Sequence, residues 1–263
     1  MKFISIFLIS VFSLACSMQK VESQKRPDAV QPNAVSSSPS KPIVLVELFT
    51  SEGCSSCPPA DKTLAFLEKE QPATQAEIIT LSLHVDYWDY LGWKDEFSSA
   101  AFSERQAVYA NKLKLNSTYT PQMVVDGQRE FVGSDTGKAV SAVIEAAKVK
   151  KAKIELSKDA ELLKISISDI PNHEDSSVFV AVAENNLASK VKRGENSGKV
   201  LKHTSVVREL TEVGSVKSSD TKFSAETTLQ IKQNWKRTDV KIVVFIQERE
   251  SRKILGIAQV LFE

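Results

Sequence analysis

Two cysteines separated by two serines, Cys54 and Cys57, are the residues best suited to chemistry in this sequence. They follow residues 43–49, a short apolar run typical of a strand buried on both faces, and precede residues 60–70, which have an apolar helical face. Unpaired N–H groups and the dipole at a helix start favour a thiolate. We therefore predict that Cys54 is the more acidic, exposed nucleophile. Cys57 would close a disulfide and displace a bound partner.

The same pair of thiols allows other interpretations. Zinc normally takes four ligands, and the chain has only one other cysteine, Cys16, so a second cysteine pair does not exist. His84 is a third ligand only in principle, since a lone histidine on a strand is more often structural. A static disulfide would close a loop so small that it adds only about 2 kcal/mol. Two open alternatives to redox chemistry are a Cu(I) or other soft-metal carrier that uses both thiolates, and a scaffold in which the thiols do no work.

Length and charge limit the function classes. A chain of 263 residues can hold two modest domains, each with its own core. Its 34 basic and 33 acidic residues are well mixed. A nucleic-acid partner would require a strong basic excess, so we predict none.

The N-terminal segment predicts export. Residues 1–15 contain one lysine followed by an apolar run that is too short to span a bilayer. Ala15 before Cys16 resembles a lipoprotein cleavage site, so we predict a signal over 1–16 with lipidation of Cys16; ordinary signal cleavage nearby is the alternative. Residues 17–42, rich in Ser, Pro, Gln and Lys, predict a flexible tether. The mature protein is expected in the periplasm or cell envelope, anchored to a membrane.

A second strand and an aromatic segment follow the helix. Residues 78–85 predict a parallel strand, and residues 86–93 bring two tyrosines and two tryptophans together. Ser103 with Gln106 has the spacing of a capping box, which predicts a helix from there to about residue 115. We interpret residues 86–116 as a helical insertion. Its aromatics either anchor it to the core or, with Trp88, form a platform for a protein substrate.

The next segment predicts a hairpin and a helix. Asp126-Gly127 is a typical turn between strands over 123–125 and 130–132. Ser134 or Asp135 is expected to cap a helix ending near residue 149. From residue 154 onward, alternating apolar and polar residues indicate about seven short strands, which is typical of a β-sandwich.

The residues around the cysteines resemble known proteins. Residues 44–59 resemble the start of the thioredoxin-like fold, and Glu-Leu-Phe-Thr-Ser-Glu-Gly-Cys-Ser-Ser-Cys-Pro-Pro-Ala-Asp is similar to DUF1223, a family of secreted bacterial proteins of uncharacterised function. Further similar stretches are 84–89 with Arg105-Gln106, and 193–199 with Leu201, His203 and 206–208. Together these stretches cover almost the whole chain after the tether.

The resemblance implies roles for particular residues. Thr120-Pro121 resembles the loop with a cis proline that faces the cysteine pair, so Thr120 and Pro121 would shape a substrate groove; an ordinary trans proline is the alternative. Glu47 resembles the buried acid that helps to move the proton of the second cysteine, although it could equally be a partly exposed strand residue. Gly53 stands where thioredoxins usually have Trp, which leaves the direction of electron flow open.

These observations predict an α/β thioredoxin-like domain over 43–151, with the insertion at 86–116, followed by a small all-β sandwich over 152–263. The expected function is extracytoplasmic thiol–disulfide exchange. Cys54, Cys57, Pro121 and Glu47 would be catalytic, and Thr120 and Trp88 would bind substrate. The expected partners are protein thiols or disulfides and a redox partner protein, with no cofactor.

Overall fold

The structure, a computed structural model, describes residues 41–262. The predicted signal, the lipidation at Cys16 and the tether as far as residue 40 lie outside the described residues. Within 41–262 the helices are α1 (Pro58–Glu70), α2 (Ala100–Lys112) and α3 (Thr136–Ala146). None of the helices in this range has the length and apolar character needed to cross a membrane.

The strands account for most of the remaining chain. They are β1 (Ile43–Thr50), β2 (Glu77–His84), β3 (Gln122–Val125), β4 (Arg129–Val132), β5 (Lys153–Asp159), β6 (Leu162–Ser168), β7 (Ser176–Glu184), β8 (Leu187–Lys190), β9 (Val200–His203), β10 (Val206–Val216), β11 (Phe223–Thr228), β12 (Val240–Glu248) and β13 (Ile254–Leu261). The protein is therefore a mixed α/β protein with many strands and few helices.

One eight-stranded sheet organises the described chain. Its order is β13-β12-β7-β10-β2-β1-β3-β4, with β1 parallel to β2 and antiparallel to β3. Strands from both sides of the predicted boundary at residues 151 and 152 thus belong to the same sheet. Strand β10 joins them by pairing in parallel with β2 at Val206 and Ser82. A three-stranded sheet, β11-β6-β5, and the hairpin β8-β9 complete the fold.

The large sheet buries apolar side chains on both faces, because successive side chains along a strand such as β1 or β12 point to opposite faces. One face, which includes Leu45, Phe49 and Phe245, packs against α2. The opposite face is covered in two parts. Helices α1 and α3 pack on β1 and β3, and the three-stranded sheet packs on β7 and β12. The three-stranded sheet therefore packs face to face on one part of the large sheet, and the large sheet continues into the N-terminal strands.

Local sequence signals predicted the positions of most helices and strands. The Asp126-Gly127 turn joins β3 to β4, and Asp135 caps α3 by accepting a hydrogen bond from the Lys138 N–H at 3.0 Å. The predicted capping box is wrong: α2 has Ser99 as its N-cap, and Ser103 lies inside the helix, where its hydroxyl bonds Asp86. Ser103 serves the loop that precedes the helix, and this tertiary contact accounts for its position.

Candidate active site

Cys54 and Cys57 form a disulfide at the start of α1. Cys57 is the N-cap residue, and Pro58 and Pro59 occupy the first two helical positions, where proline is well tolerated because those N–H groups have no helical partner. The Ala60 and Asp61 N–H groups both donate to the Cys57 carbonyl oxygen. The helix start therefore offers few free N–H groups to a thiolate, and the polar neighbour of the Cys54 sulfur is the Ser56 hydroxyl at 3.3 Å.

Cys54 is fully buried, so the prediction of an exposed nucleophile is wrong. The segment that covers it is the cover loop, residues 191–199, between β8 and β9. The buried Asn196 side chain donates from Nδ2 to the carbonyl oxygens of Glu52 and Cys54, both at 2.9 Å. The exposed Ser55 N–H donates to Glu195 Oε2 at 3.0 Å. Three hydrogen bonds therefore hold the cover loop against the cysteine turn.

Trp88 connects the cysteine turn to the proline loop. Its Cβ lies 3.1 Å from the position that a Cβ on Gly53 would take, so a larger residue at 53 would displace it. Its indole Nε1 donates to Thr120 Oγ1 at 2.9 Å, and the Thr120–Pro121 peptide bond is cis, as predicted. Half-buried Trp88 thus lies beside Gly53 in the cysteine turn and bonds Thr120 in the proline loop.

Glu47 lies away from the disulfide. Its side chain is on the α2 face of β1, whereas α1, which carries Cys57, packs on the opposite face. The buried carboxylate accepts from Arg105 Nε at 2.7 Å and from the Tyr109 hydroxyl. These contacts make Glu47 half of a buried ion pair on the sheet face opposite α1.

A set of polar side chains near the start of α1 forms what we call the buried histidine cluster: the buried Glu52, His84, Asp95 and His203, with the half-buried Asp61. His84 Nδ1 bonds Asp95 Oδ2 at 2.7 Å, and His203 Nε2 bonds Glu52 Oε1 at 3.1 Å. The two imidazole rings meet edge to face, with centroids 4.9 Å apart. Burial alone would lower the pKa of His84, but the carboxylates of Asp95, Asp61 and Glu52 together outweigh it and raise that pKa.

Sequence reasoning missed most of this cluster. Glu52 and Asp61 flank the cysteines, but nothing local marks them as partners of a histidine. His203 lies about 150 positions further along the chain, on β9, and is brought in by the cover loop and its hairpin. The resemblance of residues 193–199 to a known family was a signal that this loop matters, although not that it lies against Cys54.

We expect Asn196→Ala to make the disulfide more accessible. The substitution removes two hydrogen bonds that hold the cover loop on the site, each worth about 1 kcal/mol, so the open population should rise roughly thirtyfold. The rate of reduction by dithiothreitol, followed by alkylation of the released thiols, should rise by a similar factor.

Ser197→Ala is the matched control for this prediction. Its exposed hydroxyl bonds the Lys192 carbonyl oxygen within the same loop and contacts neither cysteine segment. Equal reduction rates in the two variants would show that the loop does not limit access.

The architecture and site define a class: mixed α/β proteins with a buried disulfide at the N-terminus of a helix. More specifically, the chain belongs to the family described as protein of unknown function (DUF1223), whose model matches residues 45–247. A crystal structure of a protein from Agrobacterium tumefaciens is 26% identical, covers 84% of this chain and 94% of its own, and superposes with a TM-score of 0.68.

A more distant likeness concerns the fold alone. HBP35 of Porphyromonas gingivalis is 14% identical and covers 86% of this chain and 76% of its own, with a TM-score of 0.58. A search of curated protein sequences gives no match.

Proposed function

We propose that this protein is a thiol–disulfide oxidoreductase that acts on protein thiols or disulfides outside the cytoplasm. The observation that carries the proposal is the Cys54–Cys57 disulfide at the start of α1, linked through Trp88 to Thr120 and the cis Pro121. A cysteine pair with this short spacing beside a strand–helix–strand unit is typical of thioredoxin-like redox proteins.

The arrangement of the N-terminal elements supports a thioredoxin-like domain. Strand β1, helix α1 and strand β2 form a parallel unit, and β3 and β4 add to the β1 edge as an antiparallel pair. Helices α1 and α3 cover one face and α2 covers the other. The all-β segment that follows, with β5, β6 and β11 packed on β7 and β12, would be a sandwich fused to this domain through the shared sheet.

The sulfur atoms that exchange bonds in this reaction are those of the two cysteines and of a partner disulfide. In the reduced protein the Cys54 thiolate attacks one partner sulfur; a Cys54–partner bond forms and the partner's other sulfur leaves as a thiolate. Cys57 then loses its proton and attacks the Cys54 sulfur. The Cys54–partner bond breaks, its electron pair goes to the partner, and the Cys54–Cys57 disulfide forms. The reverse sequence oxidises a partner dithiol.

The closed disulfide also bears on location. Disulfides persist in oxidising compartments and are rare in the cytosol, so an intramolecular disulfide in the described chain favours an extracytoplasmic protein. Anchoring through a lipid on Cys16 is part of the same proposal, and it rests on Ala15-Cys16 and the polar tether.

The purified protein tests this proposal directly. Equilibration with glutathione buffers of graded composition should interconvert the disulfide and dithiol forms reversibly, and the reduced form should transfer electrons to a disulfide-bonded protein such as insulin. The Cys54→Ser variant should transfer none, because Cys57 has no partner with which to close a disulfide. Insulin reduction at the same rate by wild type and by the Cys54→Ser, Cys57→Ser double variant would overturn the proposal.

A further inference from the structure

The two histidines of the buried histidine cluster each have one ring nitrogen without a partner. These atoms are His84 Nε2 and His203 Nδ1, and both lie in side chains that are almost completely buried. Burying a hydrogen-bonding atom without a partner costs about 1–3 kcal/mol, and such exceptions in native structures call for an explanation. Here two buried ring nitrogens without a partner occur in one cluster.

The carboxylates determine how these nitrogens can act. Asp95 and Glu52 each accept a hydrogen bond from the other nitrogen of a ring, which places the proton of the neutral imidazole on the bonded side. The unpartnered nitrogen then presents a lone pair to the interior. If it accepts a proton, the resulting imidazolium already faces a carboxylate. Each histidine–carboxylate pair is therefore arranged to accept a proton in a place without bulk water.

Asp61 connects the cluster to the disulfide. It lies four residues after Cys57 in α1, so the two side chains share a helix face one turn apart, and its N–H donates to the Cys57 carbonyl oxygen at 3.1 Å. Its carboxylate interacts electrostatically with both His203 and His84, and Oδ1 accepts from Thr50 Oγ1 at 2.9 Å. Asp61 is thus an acidic side chain that follows Cys57 by one helical turn and interacts with both imidazoles.

We infer that Asp61, His84 and His203 form a proton-accepting relay for the Cys57 thiol. This inference rests on the proposed function. In the step that closes the disulfide, the Cys57 proton passes to the Asp61 carboxylate and then to an unpartnered imidazole nitrogen. The Cys57 sulfur bonds the Cys54 sulfur, and the partner leaves with the electron pair of the broken bond. Since Asp61 bonds Thr50 and not a ring, the second transfer needs a bridging water or a rotation of the carboxylate.

The charges around the cluster support this role. Burial raises the pKa of Asp61, although His203 and His84 act in the opposite direction, so its carboxyl group is better matched to a thiol than an exposed one would be. Burial alone would raise the pKa of Asp95, but His84 and the backbone N–H groups of Glu52 and Phe97 together lower it. Glu52 is held by the Trp93 indole at 2.7 Å. Arg208 lies over the Phe97 ring, 5.0 Å from its centroid, and pairs with Glu184 at 3.6 Å, and Phe97 in turn lies beside both imidazoles.

Proton transfer accounts for the unpartnered nitrogens better than a metal does. Two imidazoles and one carboxylate are a set of zinc ligands, and a carboxylate behind each histidine is common at metal sites. However, no group of three histidine, cysteine or acidic side chains within residues 41–262 is placed to hold a metal ion.

The relay is tested by separating the two steps of exchange. Reduced protein reacts with a chromogenic aromatic disulfide in two phases: Cys54 releases one thiolate, and Cys57 then releases the second. We expect His84→Gln and His203→Gln to leave the first phase unchanged and to slow the second roughly tenfold or more at pH 7. The second phase in wild type should decline only as the pH falls through the pKa of His84, which is raised above 6.5. In both variants this decline should begin at higher pH, near the thiol pKa itself.

His173→Gln is the matched control, because this histidine bonds backbone carbonyl oxygens of residues 174 and 220 and is far from the cysteines in sequence. If a histidine variant does not fold, Asp61→Asn should show the same selective loss in the second phase. A second phase with the wild-type pH profile in these variants would overturn the relay, as would tight Zn²⁺ binding that His203→Gln abolishes. Failure of the proposed function itself would appear differently, as the absence of both phases in the wild type.

Discussion

The Cys57→Ser variant is expected to accumulate covalent complexes with protein partners on Cys54. Exchange passes through a mixed disulfide, and without the Cys57 thiol the complex can be released only by an external thiol. Complexes isolated from cells without reductant should migrate as higher-mass species that disappear with dithiothreitol. The wild type should show few, because its second step is intramolecular.

Cys54→Ser provides the contrast for this experiment. This variant retains Cys57, which is the N-cap residue of α1 and is fully buried. It should therefore trap few partners or none. A soft-metal carrier predicts another pattern, since either substitution would weaken Cu(I) binding about equally and neither would trap a protein. Tight Cu(I) binding by the wild type, with no complexes in Cys57→Ser, would favour the carrier over the oxidoreductase.

Arg105→Met is expected to destabilise the fold by about 3–5 kcal/mol, because it leaves the Glu47 carboxylate buried without its cation. The guanidinium also stacks between aromatic rings of three elements, 5.2 Å from Tyr109, 5.5 Å from Phe179 and 5.4 Å from Phe245. Denaturant unfolding with the disulfide intact would measure the loss. Because these rings come from both the N-terminal and the C-terminal part of the chain, removal of the contacts should destabilise both parts together.

The double variant Glu47→Leu, Arg105→Met separates charge from packing. Replacing both members of a buried pair by apolar residues is often close to neutral, so much of the lost stability should return. In addition, Glu47→Gln should leave thiol exchange by the folded protein at the wild-type rate, in contrast to Asp61→Asn. A selective loss of exchange in Glu47→Gln would restore Glu47 as the acid that serves Cys57.

The features that the sequence predicted well depend on residues close together in the chain. The helix after Cys57, the Asp126-Gly127 turn and the strand at Leu162–Ser168 follow from local periodicity and turn chemistry. The cis bond before Pro121 required a family resemblance in addition, because no local pattern fixes the isomer of a proline bond.

The features that it did not predict depend on long-range pairing. Strand β1 is buried on both faces, so its apolar pattern could not show whether Glu47 faces α1 or α2. The cysteine turn is bonded by Asn196, about 140 residues away from Cys54. Because β10 pairs with β2, the N-terminal and C-terminal parts of the chain share one sheet. Such a strand order cannot be predicted from a single sequence.

The pairing of β2 with β10 has a practical consequence for the design of fragments of this protein. Only one residue pair, Val206 and Ser82, registers the two strands, with Ser205 adding a hydrogen bond to the Ser82 N–H at 2.8 Å. A fragment ending at residue 151 would turn β2 from an interior strand into an open edge with apolar side chains on both faces. Such an edge is a template for intermolecular pairing, so the isolated segment would be prone to aggregate through β2 even if its own helices formed.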